Sequence, residues 1–228
     1  MIEAAQALVL DFGGVISKSL FETHQQSEKA LGLPPGTLGW RGPFDPDTDS
    51  LWRAMQAGEI SERDYWYRRA HETGRLVGED WTTLPEFLQR VRGDDPVSVI
   101  RPEALAAIEA ATAAGRKLAI LSNELDLFYG ADFRERLPFL ADFDVVIDAT
   151  YTQVLKPDPR AYLIVTSALG LEPAACVFVD DQFRNVRGAL SVGMNAIQFD
   201  VRRPAESYSE ALRLLGLGAQ TEDQHGGA

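Results

Sequence analysis

Short apolar runs alternate with helix-length amphipathic stretches over the second half of the chain. Each run is strand-sized and is bounded by polar or glycine residues, as in strands that are buried on both faces of a parallel sheet. The predicted strands cover residues 7–10, 117–122, 143–148, 176–180 and 195–199. The predicted helices between and after them cover residues 102–114, 125–137, 158–169, 184–192 and 205–215. This alternation indicates an α/β fold with a doubly wound, Rossmann-like parallel sheet and right-handed crossovers.

The segment between the first and second predicted strands has a different pattern. Its apolar positions predict helices over residues 21–31, 50–57, 61–74 and 84–91, with no strand between them. Because ligands bind beyond the carboxyl ends of parallel strands, a helical block inserted there predicts a lid over the ligand crevice. The alternative is a helical bundle that only enlarges the core. The predicted domains are a core of residues 1–17 and 96–217, a helical cap of residues 18–95 and a disordered tail of residues 218–228.

Composition and charge narrow the classes of function. The chain has 228 residues, of which 45% are hydrophobic, and this is ordinary for a globular protein. It has no apolar stretch of membrane-spanning length and no secretory leader pattern, so we expect a cytoplasmic protein without a membrane partner. The net charge of -12 argues against nucleic acid as a partner, and an anionic substrate would need local positive charge. Nothing in the pattern indicates an oligomeric state.

Polar residues follow the first two predicted strands. Asp11 ends the first strand, and a carboxylate in that place can be a nucleophile, a metal ligand or a helix cap. Ser122 and Asn123 end the second strand. They can donate hydrogen bonds to an oxyanion, or they can simply cap the next helix.

Two further segments carry charge in places where a parallel sheet would gather it. Lys156 lies between apolar residues and prolines, which hold the backbone around it stiffly. Asp180 and Asp181 leave an apolar strand side by side, and two adjacent carboxylates repel each other unless a cation lies beside them. Oxygen ligands of this kind suit magnesium, although one of the pair could cap the next helix instead.

These segments, in this order, resemble the motifs of the haloacid dehalogenase (HAD) superfamily. The matching segments are Asp-Phe-Gly-Gly-Val at 11–15, Ser-Asn at 122–123, Lys-Pro-Asp-Pro at 156–159 and Asp-Asp-Gln-Phe-Arg-Asn-Val at 180–186. The resemblance spans about residues 7–199, and the inserted segment looks like the family's helical cap of the first type. Within the superfamily, the first motif and residues 58–61 are similar to the N-terminal phosphatase domain of soluble epoxide hydrolases.

The resemblance implies a hydrolase that uses Mg²⁺ and acts on a small phosphorylated metabolite. Asp11 would attack phosphorus and form an aspartyl-phosphate, which water would then hydrolyse. The implied metal ligands are Asp11, the backbone carbonyl of Gly13, and the pair Asp180 and Asp181. The implied phosphoryl-binding groups are Ser122, the backbone amide of Asn123, and Lys156, which stabilise charge in the transition state. Asn185 would brace the loop after Asp181.

The chain departs from the family pattern at Gly13. Family phosphatases usually carry a second aspartate there, which protonates the leaving oxygen and later activates water. Such acid-base help is worth about 10²–10⁴-fold in rate. The first interpretation is a phosphatase whose leaving group needs little protonation, or in which another group substitutes. Candidates for that substitute are Glu22, His24, Asp45, Asp47 and Asp49.

Two other interpretations stay open. A 2-haloacid dehalogenase also lacks the second aspartate, because a halide leaves without a proton. Such enzymes need no magnesium and usually lack the acidic pair, so Asp180 and Asp181 favour the phosphatase. The third interpretation is a binding or regulatory protein with weakened catalysis, and the intact Asp11 and Lys156 argue against complete loss of activity.

Overall fold

A five-stranded parallel sheet forms the centre of the protein. The computed structural model describes residues 4–93, 95 and 97–218. The strands are β1 (Ala7–Leu10), β2 (Lys117–Ser122), β3 (Val145–Asp148), β4 (Cys176–Asp180) and β5 (Asn195–Gln198). Their order in the sheet is β3-β2-β1-β4-β5, and all pairs are parallel. Because β1 lies between β2 and β4, the carboxyl end of β1 faces the crevice where the strand order reverses.

Helices lie on both faces of the sheet, and the chain segment between β1 and β2 is also helical. They are α1 (His24–Leu31), α2 (Ser50–Gln56), α3 (Glu62–Leu76), α4 (Leu84–Arg92), α5 (Pro102–Ala113), α6 (Leu125–Tyr129), α7 (Ala149–Thr152), α8 (Pro159–Leu169), α9 (Phe183–Ser191) and α10 (Pro204–Leu214). One core packs α5 and α10 against the sheet, and a second packs α8 and α9 against the other face. The sheet is therefore covered on both sides, which explains the uninterrupted apolar runs of β1 and β4.

The inserted segment has a hydrophobic cluster of its own. Aromatic side chains dominate this cluster, with Phe21 at its centre and edge-on to Trp40 and Trp52. Edge-to-face pairs of this kind add to the stabilisation that burial gives. Phe128 of α6 joins the same cluster, so the insertion packs against the strand-end side of the core. We retain the division into core and cap as a proposal.

The α/β fold predicted from the apolar pattern is confirmed, and most element ends agree within two residues. Two elements differ by more. The helix predicted over residues 125–137 ends at Tyr129, because Gly130 adopts φ 84° and the chain continues as a 3₁₀ turn over Ala131–Arg136. The helix predicted from residue 21 begins at His24. Within the described residues, no helix is long and apolar enough to cross a membrane. The predicted tail begins at Gly218, and its residues 219–228 lie outside the described residues.

Candidate active site

Asp11 lies one residue beyond β1, at the carboxyl edge of the sheet. Its backbone N–H still donates to the carbonyl of Val179 at 2.9 Å, so the residue is fixed in the register of β1 and β4. Its Oδ1 accepts from the backbone N–H of Phe12 at 2.7 Å and lies 2.9 Å from Nζ of Lys156. The Asp11 side chain is 10% exposed. The other oxygen, Oδ2, has no donor among the described residues and is the one free to react.

Lys156 reaches the same point from the loop before α8. Its ammonium lies 2.6 Å from Oδ2 of Asp180 as well as 2.9 Å from Asp11. Asn123 fixes this loop, because its amide donates to the carbonyl of Lys156 at 3.2 Å and accepts from the N–H of Lys156 at 2.7 Å. The Asn123 side chain is therefore a clamp on the Lys156 loop, and only its backbone amide is available for the predicted contact with a phosphoryl group.

Asp180 and Asp181 differ in their surroundings. Asp180 is fully buried and accepts from the backbone N–H of Gln182 at 2.8 Å and from the amide of Asn185 at 3.1 Å, besides Lys156. Asn185 thus braces this turn, as expected. Asp181 accepts no hydrogen bond from any residue that the structure describes. Asp180 orients Lys156, whereas Asp181 presents an open carboxylate.

Gly14 is a glycine because the backbone passes close to Asp181. It adopts φ +82°, and a Cβ atom there would lie 2.7 Å from Oδ2 of Asp181. Gly13 is different, since its φ lies outside the left-handed range and a Cβ atom there would meet nothing within 4 Å. Backbone geometry therefore requires glycine at position 14 but not at position 13.

The charges at this edge of the sheet do not balance. Ligand oxygens of Asp11, Asp180 and Asp181 all lie within 4.8 Å of one another. Burial raises the pKa of Asp11 to about 7, although Lys156 opposes the shift. Burial, and then repulsion by Asp180 and Asp11, raises the pKa of Asp181 well above its usual value. Burial alone would lower the pKa of Lys156, but the carboxylates outweigh it and raise that pKa, so its ammonium is charged.

The donor set fits a hard divalent cation. Three carboxylates converge and one ammonium partly neutralises them, so further positive charge would stabilise the cluster. Mg²⁺ prefers oxygen ligands and usually retains several waters, which suits a site with one open carboxylate beside a cavity. Asp181 is the residue best placed to bind such an ion directly, with Asp11 beside it.

A cavity of about 80 Å³ lies between Asp11 and the inserted helices. Its floor includes the motif residues Asp11, Gly13, Ser122, Asn123 and Asp181. Its roof is largely apolar and includes Phe21, Trp52, Trp66, Leu88 and Phe128. The structure therefore brings all the predicted motif segments to one place and sets apolar side chains opposite them.

The inserted helices also bring charged groups that sequence reasoning missed. Glu62, the first residue of α3, accepts from the amides of Asn123 at 3.2 Å and of Gln182 at 2.9 Å. Arg63 makes a two-oxygen ion pair with Glu124, at 3.1 and 3.3 Å from Nε. The one available signal was the helix start at Ser61, which places acidic residues in a first turn near the predicted crevice.

None of the acid-base substitutes considered from the sequence lines this cavity. Glu22 pairs with Arg101 at 2.6 Å, and Asp49 with Arg69 at 2.5 Å. His24 packs against Trp40 in the aromatic cluster, where burial lowers its pKa to about 4. Asp45 and Asp47 are exposed. Their predicted role is not supported by their positions.

Comparison with known proteins identifies a matching family and several relatives of partial similarity in sequence. The sequence profile of the haloacid dehalogenase-like hydrolase family matches residues 5–193. Acyl-CoA dehydrogenase family member 10 of Mus musculus is 29% identical over 222 residues, which are 93% of this chain but only 19% of that protein. Phosphatase MT3486 of Mycobacterium tuberculosis (strain CDC 1551 / Oshkosh) is 37% identical over 120 residues, which are 52% of this chain and 54% of that phosphatase.

Solved structures agree on the fold. The HAD-hydrolase YfnB of Bacillus subtilis, whose structure was solved with magnesium bound, has a TM-score of 0.67. The alignment covers 93% of this chain and 99% of YfnB at 14% identity, so the likeness shows the fold alone. Because the family profile covers most of its length and the four motif segments meet at one edge of its sheet, this chain belongs to the haloacid dehalogenase-like hydrolases.

Proposed function

We propose that this hydrolase is a Mg²⁺-dependent phosphatase that acts on a small phosphomonoester. The observation that carries the proposal is the convergence of Asp11, Asp180 and Asp181 within 4.8 Å, with Lys156 between them. A nucleophilic carboxylate, a fixed ammonium and a cation site together form what phosphoryl transfer requires. The relation to Phosphatase MT3486 supports this reaction class.

In the first half of the proposed reaction, Oδ2 of Asp11 attacks phosphorus. The bond between phosphorus and the ester oxygen breaks, and the electron pair leaves with that oxygen. Lys156 and the backbone amide of Asn123 stabilise the charge on the phosphoryl oxygens, and the hydroxyl of Ser122 donates to the same group. A bound Mg²⁺ would neutralise the carboxylates and the phosphoryl oxygens, so that the anion can approach Asp11.

Gly13 and the roof of the cavity indicate which class of phosphate ester the protein would accept. Because position 13 carries no acid, we propose a leaving oxygen that departs readily as an anion, as in an aryl, acyl or anomeric sugar phosphate. The roof residues Phe21, Trp66 and Phe128 favour a flat or apolar body over a highly polar one. The cytoplasmic location and the absence of a nucleic-acid partner stay predictions from composition.

Carbon–halogen hydrolysis is the second candidate, and Gly13 is the observation that favours it, since a halide needs no proton to leave. The cluster of Asp180 and Asp181 beside Asp11 argues against it, because a carbon–halogen hydrolase needs no cation and has no use for such a set of ligands.

A paired assay tests the proposal. Aryl and sugar phosphates are incubated with Mg²⁺ and with EDTA, and 2-haloacids are incubated with EDTA. We expect phosphate release that depends on Mg²⁺ and is abolished by Asp11→Asn. Metal-independent halide release would replace the phosphatase with the dehalogenase. Ligand binding without turnover on either panel would indicate a regulatory protein.

A further inference from the structure

The proposed reaction needs a proton acceptor in its second half, and Gly13 cannot supply one. Water must lose a proton as it attacks the phosphorus of the aspartyl-phosphate. Since in-line displacement requires water to enter opposite Asp11, a carboxylate on the side of the cavity that faces the inserted helices is well placed to accept the proton of that water.

Four carboxyl groups line the described cavity: Asp11, Glu62, Glu124 and Asp181. Asp11 is the proposed nucleophile, and Asp181 belongs to the cation cluster. Glu124 is 5% exposed and is held by the guanidinium of Arg63 through both oxygens. Glu62 is the carboxyl group that comes from the inserted helices and is not tied to the metal cluster.

The hydrogen bonds of Glu62 leave it able to accept a proton. Its Oε1 accepts from Gln182 at 2.9 Å and its Oε2 from Asn123 at 3.2 Å, and the guanidinium of Arg184 lies 3.8 Å away. All of these neighbours are donors, and none of them is an acceptor that would compete with water for a proton of Glu62. A carboxylate has about four acceptor positions, and each oxygen therefore keeps one for water.

The contacts also fix where the group lies. Asn123 clamps the Lys156 loop, and Gln182 follows Asp181, so Glu62 is held against both sides of the site at once. Its side chain is 18% exposed, which leaves a path for the proton to solvent. It begins α3, whose first turn is fixed by the hydrogen bonds between Ser61 and Asp64.

We infer that Glu62 is the general base of the second half-reaction, in place of the side chain that position 13 lacks. The inference rests on the proposed phosphatase function. Water attacks phosphorus as its proton passes to Glu62, a phosphorus–oxygen bond forms, and the bond from phosphorus to Asp11 breaks with its electron pair returning to the carboxylate. Glu62 then releases the proton to solvent. As a carboxylate, Glu62 has no proton to give in the first half, which therefore depends on the leaving group alone.

Glu62→Gln separates the two half-reactions. With p-nitrophenyl phosphate and Mg²⁺, we expect the variant to release one equivalent of nitrophenolate per active site in a burst. Its steady-state turnover should then be at least about 10²-fold slower than that of the unmodified protein. Its kcat/KM, which reports events up to departure of nitrophenolate, should stay within a few-fold of the unmodified value. Rapid quenching and mass analysis should find a phosphoryl group accumulated on Asp11.

Two variants control the experiment. Glu59→Gln removes an exposed carboxylate from the turn that precedes α3, outside the cavity, and should leave every step unchanged. Glu62→Asp returns a shorter carboxylate to the same place and should restore part of the turnover.

Failure of the inference about Glu62 can be distinguished from failure of the proposed phosphatase function. A parallel fall in kcat and kcat/KM without a burst would show that Glu62 only holds the inserted helices against the core, and unchanged kcat in Glu62→Gln would show that it has no role. Either result overturns the inference and leaves the phosphatase intact. No Mg²⁺-dependent turnover by the unmodified protein would overturn the proposed function itself and, with it, this inference.

Discussion

Replacing Gly14 with alanine tests whether the position of Asp181 controls the cation site. A Cβ atom at Gly14 would lie 2.7 Å from Oδ2 and 2.9 Å from Cγ of Asp181, whereas ordinary contact begins at 3.4 Å. The carboxylate must therefore move by more than half an ångström. Because no described residue donates a hydrogen bond to it, it has nothing to hold it in place.

Gly193→Ala is the matched control. Gly193 adopts φ +88°, close to the +82° of Gly14, but a Cβ atom there would meet nothing within 4 Å. Both substitutions place alanine in the left-handed region, which costs about 1–2 kcal/mol. For a protein of this size that corresponds to a fall in Tm of about 2–8 °C. The difference between the two variants isolates the collision with Asp181.

The assay is a Mg²⁺ titration that follows both thermal stabilisation and phosphatase activity. Mg²⁺ tolerates little departure from octahedral geometry at about 2.0–2.1 Å, so the displacement should weaken binding in Gly14→Ala by about tenfold or more, or about 1.4 kcal/mol. Gly193→Ala should bind Mg²⁺ like the unmodified protein. Equal affinities in the two variants would refute the assignment of Asp181 as a metal ligand.

Three further predictions concern Gly13, Glu124 and Asp49. Gly13→Asp places its Cβ atom in open space and should raise kcat/KM for alkyl phosphates by up to about 10²-fold, while rates for aryl phosphates change little. Burial raises the pKa of Glu124 from 4.5 to about 7, so its contribution to stability is present at low pH and is lost as the pH rises through about 7. Urea unfolding should therefore show Glu124→Gln gaining stability relative to the unmodified protein between pH 5 and pH 8, by at most about 3 kcal/mol. Asp49→Asn removes one of the two carboxylates paired with the buried guanidinium of Arg69 and leaves it only the half-exposed Glu72, so it should destabilise the protein by about 1.5–3 kcal/mol.

Each of these three predictions would be contradicted by a specific result. Gly13→Asp with an unchanged dependence on the leaving group would show that the space beside Asp11 is not used for proton transfer. Parallel pH profiles for Glu124→Gln and the unmodified protein would show that Glu124 titrates near its ordinary pKa. Asp49→Asn with an unchanged unfolding midpoint would show that the pair with Glu72 is enough for Arg69.

The sheet and the motif positions could be predicted because they depend on local pattern. Apolar runs specify β1 and β4, and parallel strands bring their ends to one edge, so Asp11 and Asp180 meet without any knowledge of side-chain packing. Lys156 lies in a loop and does not end a strand, and the pattern does not show that the side chain of Asn123 from another strand end fixes this loop.

What could not be predicted depends on how the inserted helices pack. The contact of Glu62 with Gln182 joins residues far apart in the sequence, and the helix start at Ser61 places Glu62 in a first turn without showing what it contacts. For the same reason Asp49 was considered as a proton donor, whereas packing pairs it with Arg69 and Tyr65. The difference between Gly13 and Gly14 likewise rests on the approach of Asp181.

The most direct test of the account is to find the phosphoryl group on the protein during turnover. The enzyme is mixed with an aryl phosphate and Mg²⁺, quenched in acid within one turnover and digested, and the peptides are mapped by mass spectrometry. We predict a phosphoryl group on Asp11, which is present with Mg²⁺ and absent in Asp11→Asn. Turnover by Asp11→Asn, or phosphate release with no phosphoryl group at Asp11 even in Glu62→Gln, would contradict it.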